Sequence, residues 1–570
     1  MVCPARSTHS LAPLRLRLVG SLLALSTIVG CQETPLPLTD ERARDPRPNI
    51  VLFMAEDLGP RIGAFGDPIA ETPGLDQLAE EGTRFLEAFT TAGVCAPSRA
   101  AIITGVDQNR WGAGHMRAMR GGYVPAPPPD IKAFPELLRK AGYQTFNNGK
   151  TDYQLGLRLG GSLGGPVTPW DEPNSTDWNR RDPDRPFFAY INFGQTHESQ
   201  VWPTFQIPDS AVTWALWPIR LFNHFQWPSR THPEAVEVPP YYPDTTTVRE
   251  DIARHYNNIA TLDEAIQKLL QKLDRDGLSE NTVVIFTADH GDGLPRAKRW
   301  LYDSGLHVPL IVRWPGITPP GSTNVQLISL IDLAPTILSM ADVPPPRWME
   351  GRVFLGPREA TEPRFIFASR DRMDDQPDTV RAVRDHRFKY IRHFQANQPY
   401  VLDIAFRNQM PMMRELIKMN AANQLEGPEA LWFRPQRDSE ELFDTEQDPH
   451  EIRNLAQDPQ YATKLRELRS VLDDRLKARP DLGLIPEEQL RDRFFPTGEQ
   501  PITTAPQIIA KGEKLVIESP TKGASVEFKL HEGSWQLYSE PIDKKSHQRI
   551  DARAQRYGWA LSEVATLENP

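Results

Sequence analysis

The stretch IVLFMAED, residues 50–57, decides the fold class of this chain. An uninterrupted apolar run from Ile50 to Ala55 ends in two acidic residues, and Thr282–Ala288 and Pro309–Trp314 have a similar apolar character. Such continuous runs are typical of parallel strands that are buried on both faces of a sheet. A long amphipathic helix is predicted over about Thr247–Leu273. The sequence therefore predicts an α/β fold in which helices flank a buried sheet.

The later parts of the chain have a different pattern. Arg381–Phe394 has the alternation of a charged hairpin, a strand is expected near Glu441–Phe443, and a helix is expected over about Tyr461–Leu476. These elements predict a smaller α+β subdomain. Residues 500–570 alternate apolar and polar residues between Gly and Pro turns, which predicts a small β-sandwich.

The N-terminus has the features of an export signal. Arg6, Arg15 and Arg17 precede the short apolar run Leu18–Val29, and the following Cys31 completes a sequence that resembles the lipobox of bacterial lipoproteins. This resemblance implies cleavage before Cys31 and lipidation of its side chain; an ordinary secretory signal is the alternative. Both interpretations predict an exported protein, in the periplasm or at the cell surface. Gln32 after the cysteine favours an outer-membrane lipoprotein, attached to the membrane through its lipid.

Charge and hydropathy exclude several classes of protein. The chain of 570 residues has a net charge of −10, which becomes −13 when the three arginines of the leader are removed, and it has no block of lysine or arginine. A nucleic-acid partner is therefore not expected. A mean hydropathy of −0.49 excludes a polytopic membrane protein. Cys3, Cys31 and Cys95 are the only cysteines. Cys3 would leave with the leader and Cys31 would carry lipid, so the exported chain is expected to have one candidate thiol and no disulfide partner for it.

Cys95 lies in VCAPSRA, residues 94–100, which is followed by Thr104 and Gly105. This segment resembles the Cys-x-Pro-Ser-Arg signature of type I sulfatases, and the resemblance extends over about residues 47–480. It implies an alkaline-phosphatase-like fold with a mixed, mostly parallel sheet. It also implies that a maturation enzyme converts Cys95 to formylglycine. The hydrated aldehyde has two oxygens on one carbon, so one can attack sulfur and the other can then expel sulfate. Arg99, one helical turn further on, would hold the nucleophile and a sulfate oxygen.

Acidic residues follow two of the predicted strands. Glu56 and Asp57 come after the first strand, and Asp289 and His290 come after the strand that ends at Ala288. The carboxyl ends of parallel strands meet at one edge of a sheet, so these side chains are expected to converge. Three carboxylates favour a hard divalent cation, with calcium preferred to magnesium in an exported protein. In sulfatases the cation also contacts the formylglycine, which would add the Cys95 position to the ligands. Most relatives have Asp where Glu56 stands.

A group of cations is expected to bind the anionic substrate. Lys150, His197 at the end of the predicted strand from Phe187, and Lys298 resemble the family residues that contact sulfate or protonate the leaving group. Family members usually have histidine two residues after the lysine, where this chain has Asp152, so activation of the diol or protonation of the leaving group must differ here. Asp152 and His115 are further substrate-binding candidates.

The region 201–244 is rich in Trp and Pro and is expected to be a long insertion loop or lid. Trp214 and Trp217 in this insertion are candidates for stacking on sugar rings. The alternatives are that the aromatic residues pack the loop onto the body of the protein, or that they contact a membrane surface.

Within the sulfatases, stretches such as VEVPPYYPDT (236–245) and LFDTEQDPHEIRNLAQDP (442–459) resemble heparan N-sulfatase (sulfamidase) and its bacterial relatives. The resemblance implies release of sulfate from a saccharide such as a glycosaminoglycan or an algal polysaccharide, and it leaves open whether the bond is an N-sulfate or an O-sulfate ester. A phosphonate or phosphate monoester hydrolase and a non-catalytic, lipid-anchored glycan-binding protein are the alternatives. The predicted boundaries are a signal peptide (1–30), a tether (31–46), a catalytic domain (47–370), an α+β subdomain (371–495) and a β-sandwich module (500–570). This last module resembles a small C-terminal domain of bacterial hexosaminidases, and both a spacer and a carbohydrate-contacting role are open for it.

Overall fold

The computed structural model describes residues 45–156, 167–203, 211–227, 229–544 and 549–568. The predicted signal peptide, most of the tether and Cys31 lie outside these residues, so export and lipidation stay predictions. The described residues contain no helix that is both long enough and apolar enough to cross a membrane.

A seven-stranded sheet forms the centre of the described structure, in the order β3-β4-β1-β5-β6-β2-β7. Its strands are β1 (Asn49–Ala55), β2 (Thr83–Phe89), β3 (Gln144–Asn147), β4 (Phe187–Phe193), β5 (Thr282–Ala288), β6 (Leu310–Arg313) and β7 (Ser322–Ser329). Every residue of β1 and of β5 is buried, because β1 lies between β4 and β5 and pairs with both in parallel. The predicted α/β class with a mixed, mostly parallel sheet is confirmed.

The expectation that Pro309–Trp314 forms a parallel strand is wrong. The strand exists as β6, but it pairs antiparallel with both β5 and β2. Between β5 and β6 the chain forms only a loop and one helical turn, and it lacks the long crossover helix that a parallel connection needs. The apolar pattern records burial on both faces and carries no information on strand direction.

Helices pack on the sheet and on each other. They are α1 (Pro73–Glu81), α2 (Cys95–Thr104), α3 (Phe134–Lys140), α4 (Ala211–Gln226), α5 (Thr246–Arg275), α6 (Asp303–Leu306) and α7 (Leu333–Met340). The prediction of the long helix is confirmed by α5, which buries Leu262, Ile266, Leu270 and Leu273 on one face. The insertion was expected to be an irregular loop or lid, and the irregular conformation is wrong for 16 of its residues, which form α4 with Pro218 inside the helix.

An antiparallel sheet follows, in the order β11-β10-β9-β8. It contains the predicted hairpin and strand, and α10 is the predicted helix. The elements of this region are β8 (Ile366–Arg370), β9 (Val380–Arg384), β10 (Phe388–His393), α8 (Pro411–Ala421), α9 (Gly427–Leu431), β11 (Glu440–Asp444), α10 (Ala462–Ala478) and α11 (Glu487–Phe494).

The C-terminal residues form two small antiparallel sheets, β12-β13-β16 and β15-β14-β17-β18. Side chains from both sheets share one apolar cluster that includes Leu515 and Ile550, which is the arrangement expected of a sandwich. The strands are β12 (Gln507–Lys511), β13 (Lys514–Glu518), β14 (Ala524–Leu530), β15 (Gln536–Leu537), β16 (Ile542–Asp543), β17 (Arg549–Arg556) and β18 (Ala565–Glu568).

Candidate active site

The acidic residues that follow β1 and β5 meet at the carboxyl edge of the central sheet, as the sequence predicts. The backbone N–H of Asp57 donates to Asp289 Oδ1 at 3.1 Å. Asp57 has a left-handed backbone conformation (φ 54°), which is uncommon for a residue with a side chain and often marks a functional position. This conformation turns the carboxylate of Asp57 toward the site directly after the strand ends.

Cys95 is the first residue of α2, and its thiol is buried against these carboxylates. Its Sγ lies 3.4 Å from His290 Nε2 and 3.8 Å from Asp57 Oδ1. The hydroxyl of Ser98 donates to the Asp289 carbonyl at 2.5 Å and so fixes the first turn of α2 to the end of β5. Residues that are far apart in the sequence therefore surround the thiol.

Arg99 connects the same helix to the sheet edge. Its Nε donates to Asp289 Oδ2 at 2.8 Å, and its Nη1 donates to Asn192 Oδ1 at 2.6 Å. Its Nη2 is buried and has no hydrogen-bond partner among the described residues. An unpaired charged donor inside a site of this kind is a ready contact for an anionic oxygen. Sequence reasoning missed Asn192, which no local motif marks.

Two lysines extend the site. Lys298 Nζ lies 2.6 Å from Asp57 Oδ2 and 3.0 Å from Glu198 Oε1. Lys150 Nζ lies 2.6 Å from Glu56 Oε2. Burial alone would raise the pKa of the Asp57 carboxyl, but Lys298, His197 and His290 hold it well below its usual range. Lys298 thus helps to keep the Asp57 carboxylate ionised.

Glu198 and Arg299 were not expected in the site, although each directly follows a predicted site residue. Both guanidinium nitrogens Nη1 and Nη2 of Arg299 donate to the Glu198 carboxylate at 2.8 Å. Although burial opposes ionisation, Arg299 and Lys298 lower the pKa of Glu198 to about 2. This buried pair fixes the direction of the Lys298 side chain between two carboxylates.

His197 follows β4 and lies on the other side of Glu56, with its Nε2 3.9 Å from Glu56 Oε2. His197 Nδ1 lies 2.9 Å from the Ser199 hydroxyl and accepts the backbone N–H of Ser199 at 3.3 Å; a neutral ring that accepts at Nδ1 carries its proton on Nε2. Burial, together with Lys298, lowers the pKa of His197. A neutral ring with a proton at Nε2 can donate a hydrogen bond to a sulfate oxygen or to a leaving group.

Comparison with known proteins identifies the family. Residues 48–343 match the family model described as Sulfatase, and residues 296–426 match the one described as N-sulphoglucosamine sulphohydrolase, C-terminal. The chain belongs to the sulfatase family. It is therefore a sulfuric ester hydrolase by family, and the expected similarity to sulfamidase-like enzymes is confirmed.

Individual relatives of this sulfatase cover most of its length. An ulvan-active sulfatase of Formosa agariphila is 37% identical over 96% of both chains. The human N-sulphoglucosamine sulphohydrolase is 29% identical over 76% of this chain and 90% of its own. Among solved structures, BT4656 in complex with its substrate D-glucosamine-2-N,6-O-disulfate has a TM-score of 0.51 at 20% identity, over 78% of this chain and 100% of that one. At that identity the structural similarity shows the fold alone.

Family membership implies a formylglycine and a divalent metal, and the residues present fit both. One ligand atom from each of Asp57, Cys95, Asp289 and His290 lies within 4.8 Å of all the others, and all four residues are buried. His290 Nε2 lies 3.0 Å from Asp57 Oδ1, and the carboxylates Asp289 and Asp57 overcome burial and raise the pKa of His290 to about 10. A proton on His290 thus lies among these carboxylates, and a metal ion would displace it.

A second group of possible ligand atoms adjoins this cluster in the sulfatase. Glu56, Asp57 and His197 also have ligand atoms within 4.8 Å of one another. Glu56 was the least typical of the predicted ligands. It pairs with Lys150 and therefore connects the group of possible metal ligands to a cation of the site.

Asp152, the departure from the usual histidine, is paired with an arginine that sequence reasoning missed. Arg117 Nε and Nη2 lie 3.2 and 3.1 Å from the two oxygens of Asp152. Burial disfavours the charge, but Arg117 and Lys150 lower the pKa of Asp152. The acidic residue is therefore compensated and does not cancel the positive charge of Lys150.

The remaining candidates lie further out. His115 is buried, its Nδ1 accepts a hydrogen bond from the backbone N–H of Arg372 at 3.1 Å, and burial lowers its pKa.

Trp214 and Trp217 form an edge-to-face pair on α4 with ring centroids 6.3 Å apart, and Trp214 is 57% exposed. Trp202, at the start of the insertion, is instead buried, and its ring centroid lies 4.5 Å from that of Phe406. The insertion thus contains one aromatic residue that packs it onto the body and another that faces solvent.

Proposed function

We propose that this sulfatase removes sulfate groups from a sulfated polysaccharide outside the cytoplasm, with formylglycine formed from Cys95 as the nucleophile and a calcium ion at Asp57, Asp289 and His290. The proposal covers N-sulfate and O-sulfate ester substrates. The similarity to an ulvan-active sulfatase over nearly the whole of both chains makes ulvan the first substrate to test.

The observation that carries the proposal is the position of Cys95. Its side chain is at the first residue of a helix and within 4 Å of both His290 and Asp57. A buried structural cysteine would need apolar neighbours, whereas this thiol is surrounded by carboxylates and cations. Formylglycine at this position would supply a diol oxygen that attacks sulfur and a second oxygen that expels the sulfate.

Cations on two sides of the nucleophile would hold the sulfate. Lys150 pairs with Glu56, Lys298 pairs with Asp57, and Arg99 Nη2 provides a buried donor that has no partner among the described residues. The mean field of the protein repels anions, because its net charge is −10, or −13 once the leader is removed. Binding of a sulfated substrate therefore depends on this local cluster, whose donors are already fixed by their carboxylate partners.

The metal would take the carboxylate oxygens of Asp57 and Asp289. When bound, a divalent cation would neutralise charge that builds on the sulfuryl group and lower the pKa of the attacking hydroxyl. Calcium suits this site because it accepts several oxygen ligands in a flexible geometry. His290 would ligate after it loses its proton, so occupancy should fall at low pH.

His197 is proposed to protonate the leaving group. Its Nε2 carries the proton, since Nδ1 accepts from the Ser199 backbone. Its lowered pKa keeps the ring neutral near pH 7, and the ring is held at the edge of the cation cluster. The nitrogen or oxygen that leaves the sulfur would take this proton.

Export would place the enzyme where polysaccharides occur. The leader with its lipobox-like end supports an outer-membrane lipoprotein anchored through Cys31, and the Cys95 segment supports maturation by a formylglycine-generating enzyme.

The decisive experiment expresses the chain together with a formylglycine-generating enzyme and measures free sulfate from ulvan, from N-sulfated glucosamine and from an aryl sulfate. A phenyl phosphonate monoester and a phenyl phosphate monoester are tested in the same assay series for comparison. We expect sulfate release from at least one saccharide and much slower hydrolysis of the phosphorus esters. Faster hydrolysis of the phosphorus esters would contradict the proposal.

A further inference from the structure

A polar pocket outside the active site lies between the insertion helix α4 and the long helix α5. Its volume is about 280 Å³. One wall of the pocket lies close to the active site. Gln200 in this wall follows His197 by three residues, so the Cα atoms of Gln200 and His197 are at most about 11 Å apart. The lining residues that matter here are Gln200, Arg220, Asn223, Arg254, Asn257 and Asn258.

Arg220 is the most unusual of these residues. Only 6% of it is exposed, and no carboxylate pairs with it among the residues that the structure describes. Its guanidinium donates to the Pro203 carbonyl and lies over the Trp202 ring. Burial, with a contribution from Arg254, lowers the pKa of Arg220 to about 10. A buried cation next to an open pocket is stabilised by any anion that enters.

Asn258 is an independent sign of a ligand. It is 3% exposed, it lines the pocket from α5, and its Nδ2 donor has no hydrogen-bond partner in the described part of the chain. On the opposite wall Asn223 Nδ2 donates to Gln200 Oε1 at 3.1 Å. A buried amide donor without a partner costs about 1–3 kcal/mol, so an acceptor is expected in the pocket.

The other charges of the pocket do not satisfy Arg220. Arg254 Nη1 is paired with Asp251 at 2.7 Å, and the second oxygen of Asp251 accepts from the Met412 backbone at 2.8 Å. Glu250 also lines the pocket, but it is exposed to solvent. Among the described residues, the interior therefore has one cation without a carboxylate partner, Arg220, and one unpartnered amide donor, on Asn258, which is the chemistry of a site for a carboxylate or a sulfate.

We infer that this pocket is a second anion-binding subsite for the saccharide, in which Arg220 and Asn258 hold a carboxylate or a second sulfate group. That anion belongs to a sugar unit next to the one that loses its sulfate at Cys95. The inference rests on the proposed function and deepens it: the substrate carries at least two anionic groups, and a substrate with a single sulfate does not use the subsite.

The test separates binding from turnover. Affinity for ulvan oligosaccharides is measured by calorimetry on the full chain with Cys95 unmodified, and sulfate release is measured on the matured enzyme. Arg220→Gln should weaken oligosaccharide binding by about tenfold or more, as expected for a lost charged hydrogen bond, and it should leave kcat and KM for an aryl sulfate unchanged. Arg230→Gln is the matched control, because Arg230 lies in the same insertion but pairs with Glu71 and Glu264.

Asn258→Asp keeps the test valid if the Arg220 variant folds poorly. The new carboxylate would repel a bound anion and at the same time compensate Arg220, so binding should weaken while Tm stays the same or rises. The same measurements with carboxyl-reduced oligosaccharides assign the anion: an effect that vanishes indicates a carboxylate, and one that persists indicates a sulfate. Unchanged affinity in both variants would overturn the subsite. Weaker oligosaccharide binding by the two variants, together with a matured wild-type enzyme that releases no sulfate, would support the subsite and contradict the proposed function.

Discussion

Arg117 and Asp152 form an ion pair with two hydrogen bonds, of 3.2 and 3.1 Å, directly beyond Lys150. The family resemblance predicts a histidine where Asp152 stands, so the ion pair is a departure from the charge arrangement expected next to the nucleophile. Because the arginine neutralises the acid, the local field at Lys150 stays positive. The pair explains how an anion-binding site tolerates a carboxylate at this position.

The contributions of Arg117 and Asp152 to the free energy of unfolding should depend on each other. Arg117→Gln leaves the buried Asp152 charge without its partner, which should lower the free energy of unfolding by about 3 kcal/mol and reduce activity. The double variant Arg117→Gln/Asp152→Asn removes both charges and should recover most of that stability. Chemical denaturation of the wild type, of the single variants Arg117→Gln and Asp152→Asn, and of the double variant gives the coupling energy. Additive losses would show that the two residues act separately.

Much of the catalytic centre could be predicted because it follows strand ends. Glu56, Asp57 and Asp289 each come directly after a buried apolar run, and parallel strands bring their carboxyl ends together. Cys95 and Arg99 share a helical turn, so their spacing also fixes their relation. Local sequence determines such positions.

The partners of these residues could not be predicted. Arg117, Asn192 and Glu198 reach the site from a loop, from within a strand and from a short turn. No local motif marks their role, although Glu198 directly follows the predicted His197. The antiparallel direction of β6 and the helix α4 in the insertion were missed for a similar reason. The pattern of apolar residues indicates which segments are buried. Strand direction depends instead on the length of the connecting segment, and local helix formation depends on tertiary contacts.

Metal binding should be visible in both activity and stability. Asp57→Asn and Asp289→Asn should each lose nearly all activity, since both carboxylates belong to the ligand cluster. A chelator should lower the Tm of the wild type, because a ligand present at 100 to 1,000 times its Kd stabilises by about 3–4 kcal/mol. Calcium should restore more activity than magnesium. Asp474→Asn, at an exposed residue, is the control. A chelated enzyme with unchanged Tm and rate would contradict the metal assignment.

The tryptophans of the insertion should separate into two classes. Trp214→Ala should raise KM for ulvan several-fold and leave hydrolysis of an aryl sulfate unchanged, because Trp214 faces solvent and would contact only an extended substrate. Trp202→Ala removes a buried ring and should cost about 3–5 kcal/mol of stability with both substrates affected. Steady-state kinetics and thermal unfolding distinguish them. Equal losses on both substrates for Trp214→Ala would contradict a role in saccharide binding.

The interface between the C-terminal β-sandwich and the body should make stability depend on acid pH. Glu136 on α3 accepts hydrogen bonds of 2.5 Å from Ser525 and from Tyr557. Burial opposes its charge, but Lys132 and Lys140 lower the pKa of Glu136 to about 2. The unfolded carboxyl has a pKa of about 4.3, so this contribution is complete above that pH and is lost as the pH falls toward 2.

Glu136→Gln should therefore lower Tm at pH 7 and flatten its dependence on pH between about 4.5 and 2. Glu488→Gln, at an exposed residue, should leave the profile unchanged. Thermal unfolding over this pH range checks both. A Glu136 variant with the wild-type profile would show that the interface does not rely on this carboxylate.

The most direct test of the central claim is the mass of the peptide that contains Cys95, taken from enzyme co-expressed with a formylglycine-generating enzyme and compared with its rate of sulfate release. The account predicts formylglycine at position 95, activity in proportion to the converted fraction, and at most one turnover for Cys95→Ser, which has only one oxygen on its side chain. Sustained turnover by Cys95→Ser, or full activity in material whose Cys95 is entirely unmodified, would contradict it.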